Sequence, residues 1–593
     1  MKKIICLLMC VGLMLSLFSC SGISDSYILN ATEREYNQDA NGNYYIANDN
    51  ADNAVNEEDD YEDYNTPAYV LEEPEYAMAE EAPPVLAAPA AVEEAPADVA
   101  VAEAPAAAPT PAAPAPPTEP NDEEYLEHPE NKKNDILENS VITFSLKIDS
   151  ASYRNVVRYI ENGSVPPKDA VRIEEMINYF NYEEILLENK DTPFSIYTEL
   201  GQSPFNPDNY LAFVRVKSKD IDKSKLPNSN LTFLIDTSGS MDSYDKLPLL
   251  KSAFSLLVET LTENDIVSIV TYAGSAGVLL DSVRGDQKDK IINAIDNLSA
   301  GGSTAGAEGI NTAYALTEKN FMKNGNNRVI LATDGDFNVG VSGVKDLENL
   351  ISEKRESGVY LTILGFGTEN LKDNKMETIA KNGNGNYHYI DSVAAAKKVL
   401  VDELSANLFT IADDVKAQIE FNPALVSKYR LIGYENSMMK NKDFENDKKD
   451  AGEIGIGTDV ILLFELELVD DKPVLKYQSN KNTSNIPVVN LANQNQYSDE
   501  LFEVRIRYKN PGESESRLIT HPVKTDRIFK SNTSDFRFAS SVAGFGQLLR
   551  SSEYTGNFTV DKVLKIAMDS IGKDRNGYRK EFIELVKKYQ RIR

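Results

Sequence analysis

The sequence has few of the residues on which most zinc enzymes and hydrolases depend. Its 593 residues include only three histidines and three cysteines, namely His128, His388, His521, Cys6, Cys10 and Cys20. Because no cysteine follows Cys20, the rest of the chain can form no internal disulfide, thiolate metal site or cysteine nucleophile. The histidines form no spaced cluster, which argues against zinc enzymes and histidine-dependent triads.

Basic residues are almost absent from one long segment. Residues 24–130 contain 27 Asp or Glu and a single basic residue, Arg34. The formal net charge of the whole chain is −32, which argues against nucleic-acid binding. Since the rest of the sequence is only mildly acidic, the extreme charge belongs to a tail. The length of the chain predicts several structural units rather than one compact domain.

The N-terminus has the pattern of an export signal. Lys2 and Lys3 precede an apolar run from Ile4 to Phe18, and the stretch LFSC then ends at Cys20. A basic start, an apolar run of this length and small residues near its end are typical of a secretory signal. LFSC also resembles the lipobox of bacterial lipoproteins, which implies cleavage after residue 19 and lipidation of the Cys20 thiol. The alternative is an ordinary cleaved signal with incidental cysteines.

A lipidated Cys20 would anchor the protein to a membrane by its N-terminus, since each buried methylene contributes ~0.8 kcal/mol. No later stretch reaches the ~18 consecutive apolar residues of a spanning helix. We therefore expect a cell-envelope protein that lies outside the cytoplasm. Ser21 is not the Asp that retains some lipoproteins in the inner membrane, so the outer membrane is favoured in a bacterium with two membranes.

The segment between the signal and the first folded region is predicted to be a stalk. We assign residues 1–19 to the signal peptide and residues 20–135 to a disordered, acidic, Ala/Pro-rich stalk. Its second half consists of Ala-Pro-Glu repeats such as EEAPPVLAAPAAVEEAPADVAVAEAPAAAPTPAAPAPP. Proline removes backbone hydrogen bonds and favours extended chain, and like charges extend it further. The alternative is a proline-rich tract that binds a partner.

Three folded regions follow the stalk. Residues 136–225 begin with the alternating strand VITFSLKID and continue with amphipathic helices, which predicts a small α+β region. Residues 226–408 alternate buried strands with amphipathic helices, the pattern of an α/β fold with a doubly wound parallel sheet. Residues 409–593 are rich in strand patterns and end in helical ones, which predicts a β-rich and helical C-terminal domain.

The stretch LIDTSGSMD places three oxygen-bearing side chains at alternate positions after a buried strand: Asp236, Ser238 and Ser240. A nucleophilic serine would need a base and the turn pattern G-x-S-x-G, and this stretch lacks that pattern. A phosphate cradle at GGSTAGAEG would need the lysine of the Walker pattern, which is missing. Helix capping stays open, because Asp and Ser are good cap residues.

Two further strand-end loops carry matching oxygen chemistry. They contain Thr304 in GGSTA and Asp334 in LATDGD. In a doubly wound sheet, ligands bind outside the carboxyl ends of the strands. An all-oxygen set with only two carboxylates suits a hard divalent cation such as Mg²⁺. Since Mg²⁺ tolerates water in its coordination shell, we expect that an acidic group from a partner can complete the coordination.

The motifs DTSGSMD, GGSTA and TDGD, in this order, resemble the metal-ion-dependent adhesion site (MIDAS) of von Willebrand factor type A domains. The stretches SLKIDSASYRNVVRYIENGSVPPKDAVRIEEMINYFNY, RLIGYENSMM and ASSVAGFGQLLRSSEY resemble bacterial YfbK-type proteins. Together these resemblances cover residues 140–593. They imply that a divalent cation, Mg²⁺ with Mn²⁺ or Ca²⁺ as alternatives, is bound directly or through water by Asp236, Ser238, Ser240, Thr304 and Asp334.

A second, adjacent cation at Asp242 and Asp245 is not favoured. The spacing of these two residues does not match that of relatives with two sites. Carboxylates are also common at the start of helices, where the helix dipole stabilises them.

From these features we expect a cell-envelope lipoprotein that is not an enzyme. Its type A domain would bind a protein ligand whose acidic residue completes the coordination of the cation. We expect no nucleic-acid partner and no small-molecule substrate. The alternative is an envelope assembly or scaffold protein in which the metal site mainly stabilises the fold and the flanking domains carry the interaction.

Overall fold

The structure of the protein is a computed structural model that describes residues 123–147, 149–182, 192–302, 306–335, 344–368, 371–469 and 497–593, and the backbone of residues 36–38 and 44–46. The chain forms two compact units, Met1–Ala112 and Ala113–Arg593. In the first unit, strands β1 (Tyr36–Gln38) and β2 (Tyr44–Ile46) pair antiparallel. The predicted signal peptide, the Cys20 lipidation site and the rest of the stalk up to residue 122 lie outside the described residues.

Before the α/β domain, the second unit contains a region of strands and helices. Its elements are β3 (Asn134–Asp135), β4 (Val141–Ser145), α1 (Ala151–Glu161), α2 (Ile173–Asn178), β5 (Phe194–Gln202) and β6 (Tyr210–Ser218). Residues 123–135, which the sequence assigns to the stalk, lie on this unit. Arg158 of α1 holds them by two hydrogen bonds to the carboxylate of Glu123, at 2.6 and 2.8 Å.

A doubly wound α/β domain follows, and this prediction is confirmed. Its strands are β7 (Ser229–Asp236), β8 (Ile266–Tyr272), β9 (Ala276–Arg284), β10 (Asn326–Thr333), β11 (Tyr360–Phe366) and β12 (Tyr387–Ile390). Its helices are α3 (Leu247–Glu259), α4 (Lys288–Asp296), α5 (Gly306–Lys319), α6 (Val344–Arg355), α7 (Asp373–Asn382), α8 (Val393–Lys397) and α9 (Leu404–Leu408).

The six strands form one sheet in the order β12-β11-β10-β7-β8-β9. All neighbours are parallel except β8 and β9, which form an antiparallel hairpin. Every residue of the central strands β7 and β10 is buried, and successive side chains point to opposite faces of the sheet. In β7, Phe233 packs with helices α3 and α4 on one face, while Leu234 packs with α5 and α6 on the other. Both faces of the sheet are therefore covered by helices.

The C-terminal region contains seven strands and three α-helices among the described residues. The strands are β13 (Thr410–Phe421), β14 (Val426–Ile432), β15 (Met438–Met439), β16 (Gly452–Gly455), β17 (Asp459–Leu468), β18 (Glu500–Lys509) and β19 (Arg517–Lys524). The helices are α10 (Ser534–Leu549), α11 (Val560–Asp569) and α12 (Tyr578–Ile592).

The two flanking regions are joined through shared sheets. One sheet has the order β15-β4-β13-β18-β19, with β16 also paired to β13, and the other has the order β3-β14-β17-β6-β5. Each therefore combines strands from before and after the α/β domain, which is inserted between them in the chain. Alternate residues of β17 face two cores: Leu462 packs between the two sheets, and Leu463 packs against helices that include α1, α2 and α10.

Among the described residues, no helix has the length and apolar character needed to cross a membrane.

Candidate metal centre

The candidate centre lies where two neighbouring parallel strands end. β7 and β10 pair in register, with Ile235 beside Ala332. Asp236 is the last residue of β7, and Asp334 directly follows β10. Both aspartates are fully buried. The fold therefore brings the two predicted carboxylate ligands to the same edge of the sheet, where ligands bind in doubly wound folds.

Three donors hold the carboxylate of Asp236. Its Oδ1 accepts a hydrogen bond from the backbone N–H of Ser238 at 2.9 Å. Its Oδ2 accepts from the hydroxyls of Tyr272 and Thr333, each at 3.2 Å. Burial raises the pKa of Asp236 to about 6, and the charge of Asp334 acts in the same direction. The raised pKa indicates that these donors do not fully compensate the negative charge of the two aspartates.

The two serines lead from the interior to the surface. Their Oγ atoms are 3.1 Å apart, with Ser238 buried and Ser240 exposed on a short 3-10 helix, Gly239–Asp242. The Ser238 hydroxyl caps neither this turn nor α3, whose N-cap residue is Lys246. Helix capping, the alternative left open by the sequence, therefore does not explain the two serines. Both serines therefore remain candidate hydroxyl ligands on the loop that begins at Asp236.

A lysine bridges two of the loops. The ammonium of Lys246 donates hydrogen bonds to Oδ2 of Asp334 at 3.0 Å and to the backbone oxygen of Ser240 at 2.9 Å. The residue is only 8% exposed. A buried ion pair is stable only when the geometry is good and further hydrogen bonds satisfy the charged groups. Lys246 therefore supplies one positive charge to a site whose ligands carry two negative ones.

The loop of Thr304 is joined to the loop of Asp236 by backbone hydrogen bonds from residues that precede Thr304. Thr304 itself lies outside the described residues. The backbone N–H of Gly301 donates to the oxygen of Thr237 at 2.8 Å, and that of Gly239 donates to the oxygen of Gly302 at 3.2 Å. Gly302 has a φ of +85°, which glycine adopts without strain. Helix α5 begins at Gly306.

The chemistry of these ligands fits a hard divalent cation. In the part of the chain that the structure describes, no group of three or more His, Cys, Asp or Glu side chains is placed to hold a metal. The candidate centre instead combines two carboxylates with the hydroxyls of Ser238 and Ser240, and such oxygens are the ligands that Mg²⁺ prefers. The ammonium of Lys246 already lies against this set as a stand-in cation. The residues present therefore fit the predicted group.

The two residues considered for a second cation, Asp242 and Asp245, lie on the same loop as Ser240. Asp245 accepts hydrogen bonds from the hydroxyl of Ser243 and, at 3.5 Å, from that of Thr368. Asp242 is exposed. These positions form the outer rim of the first loop.

The histidine of this domain lies elsewhere. His388 is buried on β12, and its Nδ1 is 2.9 Å from the hydroxyl of Ser150. Burial lowers the pKa of His388 to about 4. Since it bonds to Ser150 rather than to Ser238 or Ser240, it is not placed to act as their general base.

Comparison with known proteins identifies the domains. Residues 230–402 match the family model "von Willebrand factor type A domain", and residues 406–592 match "Uncharacterized protein YfbK, C-terminal". Residues 119–212 match the model "von Willebrand factor". Uncharacterized protein YfbK of Escherichia coli (strain K12) is 43% identical over 476 residues, which are 79% of this chain and 81% of that protein. The chain belongs to the YfbK family.

Two solved structures resemble this YfbK-family protein at low identity. A von Willebrand factor type A protein from Catenulispora acidiphila is 14% identical, with a TM-score of 0.37 over 65% of this chain and 89% of that one. The ArnB paralog VWA2 from Sulfolobus acidocaldarius is also 14% identical, with a TM-score of 0.33 over 68% of this chain and 98% of that one. Type A domains commonly mediate protein–protein interactions and often bind a divalent cation.

Sequence reasoning missed three residues that shape the site. Tyr272 and Thr333 orient Asp236, and Lys246 pairs with Asp334. Thr333 directly precedes Asp334, so its position at a strand end was a usable signal. Tyr272 and Lys246 stand in a strand and a loop where nothing in the pattern distinguishes them from ordinary core and surface residues.

Proposed function

We propose that this YfbK-family protein is a cell-envelope lipoprotein that binds a protein ligand through a cation at its type A domain. The cation would be held by the five predicted residues, Asp236, Ser238, Ser240, Thr304 and Asp334. The observation that carries the proposal is the pair of fully buried aspartates at one sheet edge, next to an exposed serine hydroxyl. Buried carboxylates are costly unless they are paired or coordinate a cation.

The residues of the chain divide the work of the site. Tyr272 and Thr333 fix the orientation of Asp236 by donating to its Oδ2. Ser238 and Ser240 extend the set of oxygens towards the surface. A divalent cation bound there supplies an electrophilic position that accepts a carboxylate oxygen. Binding would be reversible coordination, and it would require no nucleophile and no proton transfer by the chain.

The surface beside the centre is shaped by more than the type A domain. A cavity of about 350 Å³ lies next to the first loop, and its walls include Tyr244, Thr368 and Tyr389 of the type A domain. Val157 and Arg158 of α1 form another part of its wall. The region before the type A domain would therefore contribute to the surface on which a ligand docks.

The N-terminal features complete the proposal. Lipidation at Cys20 would hold the protein at a membrane outside the cytoplasm. The acidic, proline-rich segment would then extend the folded part away from that membrane, because such a composition favours extended chain. The outer membrane is the preferred location in a bacterium with two membranes.

One observation favours the alternative function, an envelope assembly or scaffold protein. The type A domain is fixed to the flanking regions by buried ion pairs, such as that between Arg172 and Asp373 at 2.6 Å. A rigid assembly of this kind could present the flanking surfaces to partners, and the cation would then mainly stabilise the fold. Chelation would lower the melting temperature without changing the recovery of partners.

The experiment that separates the two functions is affinity purification from solubilised envelopes in Mg²⁺ and in EDTA. The lipoprotein proposal predicts that partners are recovered with the wild type in Mg²⁺, and are lost both in EDTA and with Asp236→Ala. Lys565→Ala, which changes an exposed residue of α11, is the matched control. Partners that survive both EDTA and Asp236→Ala would contradict binding through a cation.

A further inference from the structure

The Lys246 ammonium occupies a central position in the candidate metal centre. It contacts Oδ2 of Asp334 and the backbone oxygen of Ser240, which belong to two different loops. The Lys246 side chain is 10% exposed and that of Asp334 is fully buried. The ammonium therefore lies where a cation can interact with both loops, and it is shielded from bulk water.

The position of this lysine is fixed by its surroundings. Its backbone N–H donates to the oxygen of Ser243 at 3.0 Å, and its own oxygen accepts the N–H of Leu250 at 2.8 Å. The loop after β11 lies across its side chain at Gly367, where a Cβ would clash with the lysine stem. The φ of Gly367 is +76°, and the hydroxyl of Tyr389 donates to its oxygen at 2.8 Å. Lys246 is therefore built into the centre and does not sample its surface freely.

We infer that Lys246 is a tethered cation of the metal centre that competes with the divalent cation for Asp334 and so sets the metal affinity. The inference rests on the proposed function, because it concerns the same site. Its basis is the geometry of the ion pair. A positive charge within a few ångströms of the ligands repels an incoming cation, and this repulsion is stronger in a buried site than in water.

The charge of Lys246 also affects how strongly the loaded site attracts a carboxylate. Asp236 and Asp334 together carry two negative charges, and Lys246 cancels one of them. Once a divalent cation is added, the set has a net charge of plus one. A single carboxylate from a partner restores neutrality. Without the lysine the loaded set would already be neutral, and its attraction for a carboxylate would be weaker.

The test is calorimetric titration of Mg²⁺, and separately of Mn²⁺, into the full chain purified in detergent. Lys246→Met removes the charge and keeps most of the volume of the side chain. We expect its affinity for both metals to rise by about tenfold or more, as the removal of a nearby buried charge predicts. Lys246→Gln, whose amide can still donate to Asp334, should change the affinity in the same direction.

Two control variants distinguish the effect of removing the positive charge from the effect of changing a lysine side chain. Lys246→Arg keeps the positive charge and should leave the metal affinity near that of the wild type. Lys251→Met changes another lysine of the same loop-to-helix segment, whose ammonium donates to the backbone oxygen of Asp296, and should leave it unchanged. Thermal unfolding with and without Mg²⁺ gives a second readout, in which Lys246→Met and Lys246→Gln should gain more stability from Mg²⁺ than the wild type.

The outcomes separate this inference from the function on which it rests. Tighter metal binding by the two uncharged variants supports the inference. If the wild type binds metal and both uncharged variants bind it equally tightly or more weakly, the role of Lys246 is overturned. The proposed metal centre is unaffected by that result. No metal binding by the wild type or by any variant overturns the proposed function itself.

Discussion

Arg154 on helix α1 donates two hydrogen bonds to the carboxylate of Asp391, which directly follows β12, at 2.9 and 2.7 Å. The side chains of these two residues are 7% and 11% exposed. The same guanidinium also donates to Glu581 of α12 at 2.7 Å. One arginine thus joins the region before the type A domain, the type A domain and the C-terminal helices.

Removing this arginine should destabilise the whole folded unit. We predict that Arg154→Met lowers the free energy of unfolding by about 3 kcal/mol, because it leaves the buried charge of Asp391 without its partner. Urea unfolding monitored by circular dichroism measures the change. Lys565→Met is the control, since Lys565 and Asp569 form an exposed pair, and it should lower the free energy of unfolding far less than Arg154→Met does. Equal losses in the two variants would contradict the structural role of Arg154.

His388 should make stability depend on pH. Burial lowers its pKa to about 4, so the folded state keeps it neutral while the unfolded state protonates it near pH 6.5. Stability is therefore lost as the pH falls from about 6.5 to about 4, by up to about 3 kcal/mol from this residue. Below about pH 4 both states are protonated and this contribution is constant.

The measurement is urea unfolding at several pH values between 4 and 7 for the wild type and His388→Asn. Between pH 7 and pH 4, the free energy of unfolding should fall less in the variant than in the wild type, whatever the stability of the variant at pH 7. Leu518→Ala, which changes an exposed and non-titrating residue of β19, serves as control and should keep the slope of the wild type. A slope that is identical in wild type and His388→Asn would exclude this assignment.

Asp236→Asn should separate metal binding from the stability of the metal-free protein. In EDTA the substitution removes a buried charge whose pKa is raised, so we expect the free energy of unfolding at pH 7 to increase by up to about 3 kcal/mol. In Mg²⁺ the variant should gain no stability, whereas the wild type should gain it by mass action. Thermal unfolding in both conditions provides the comparison. Equal stabilisation of both proteins by Mg²⁺ would place the cation elsewhere.

Tyr244 should contribute to ligand binding without affecting the metal. It is 76% exposed and lies on the first loop, at the edge of the cavity beside the centre. Tyrosine is frequent among the residues that dominate binding energy at interfaces, so Tyr244→Ala should lower the affinity for the recovered partner about tenfold. Leu518→Ala, which changes an exposed apolar residue of β19, is the matched control. The Mg²⁺ affinity and melting temperature of both variants should equal those of the wild type.

Much of the type A domain could be predicted from the sequence. Strands such as β7 and β10 are buried on both faces, so they read as nearly continuous apolar runs. Polar residues directly after such runs must fall at one edge of the sheet. This local rule is enough to predict that Asp236 and Asp334 lie close together.

The strand β9 was not predicted, for a physical reason. It lies at the edge of the sheet, and most of its side chains are exposed or half-buried, with Leu280 and Val283 the buried exceptions. An edge strand needs no continuous apolar run, so its pattern did not differ from that of a loop. The hairpin to β8 supplies its backbone partners.

The pairing of strands between the two flanking regions could not be predicted from the sequence. β4 pairs with β13, with Phe144 opposite Ala417, although the whole α/β domain lies between them in the chain. Alternation within a strand indicates which face is buried but not which distant strand is its neighbour. For the same reason Lys246 was missed, since its partner Asp334 lies on another loop.

The proposed position of the divalent cation is the edge of the sheet where β7 and β10 end. Crystals of the full chain grown with Mn²⁺ test it most directly, because anomalous scattering locates the ion independently of its ligands. We expect one peak in coordinating contact with the Ser238 and Ser240 hydroxyls and beside Asp236, Thr304 and Asp334. The absence of such a peak at saturating Mn²⁺, or a peak only at other residues, would contradict it.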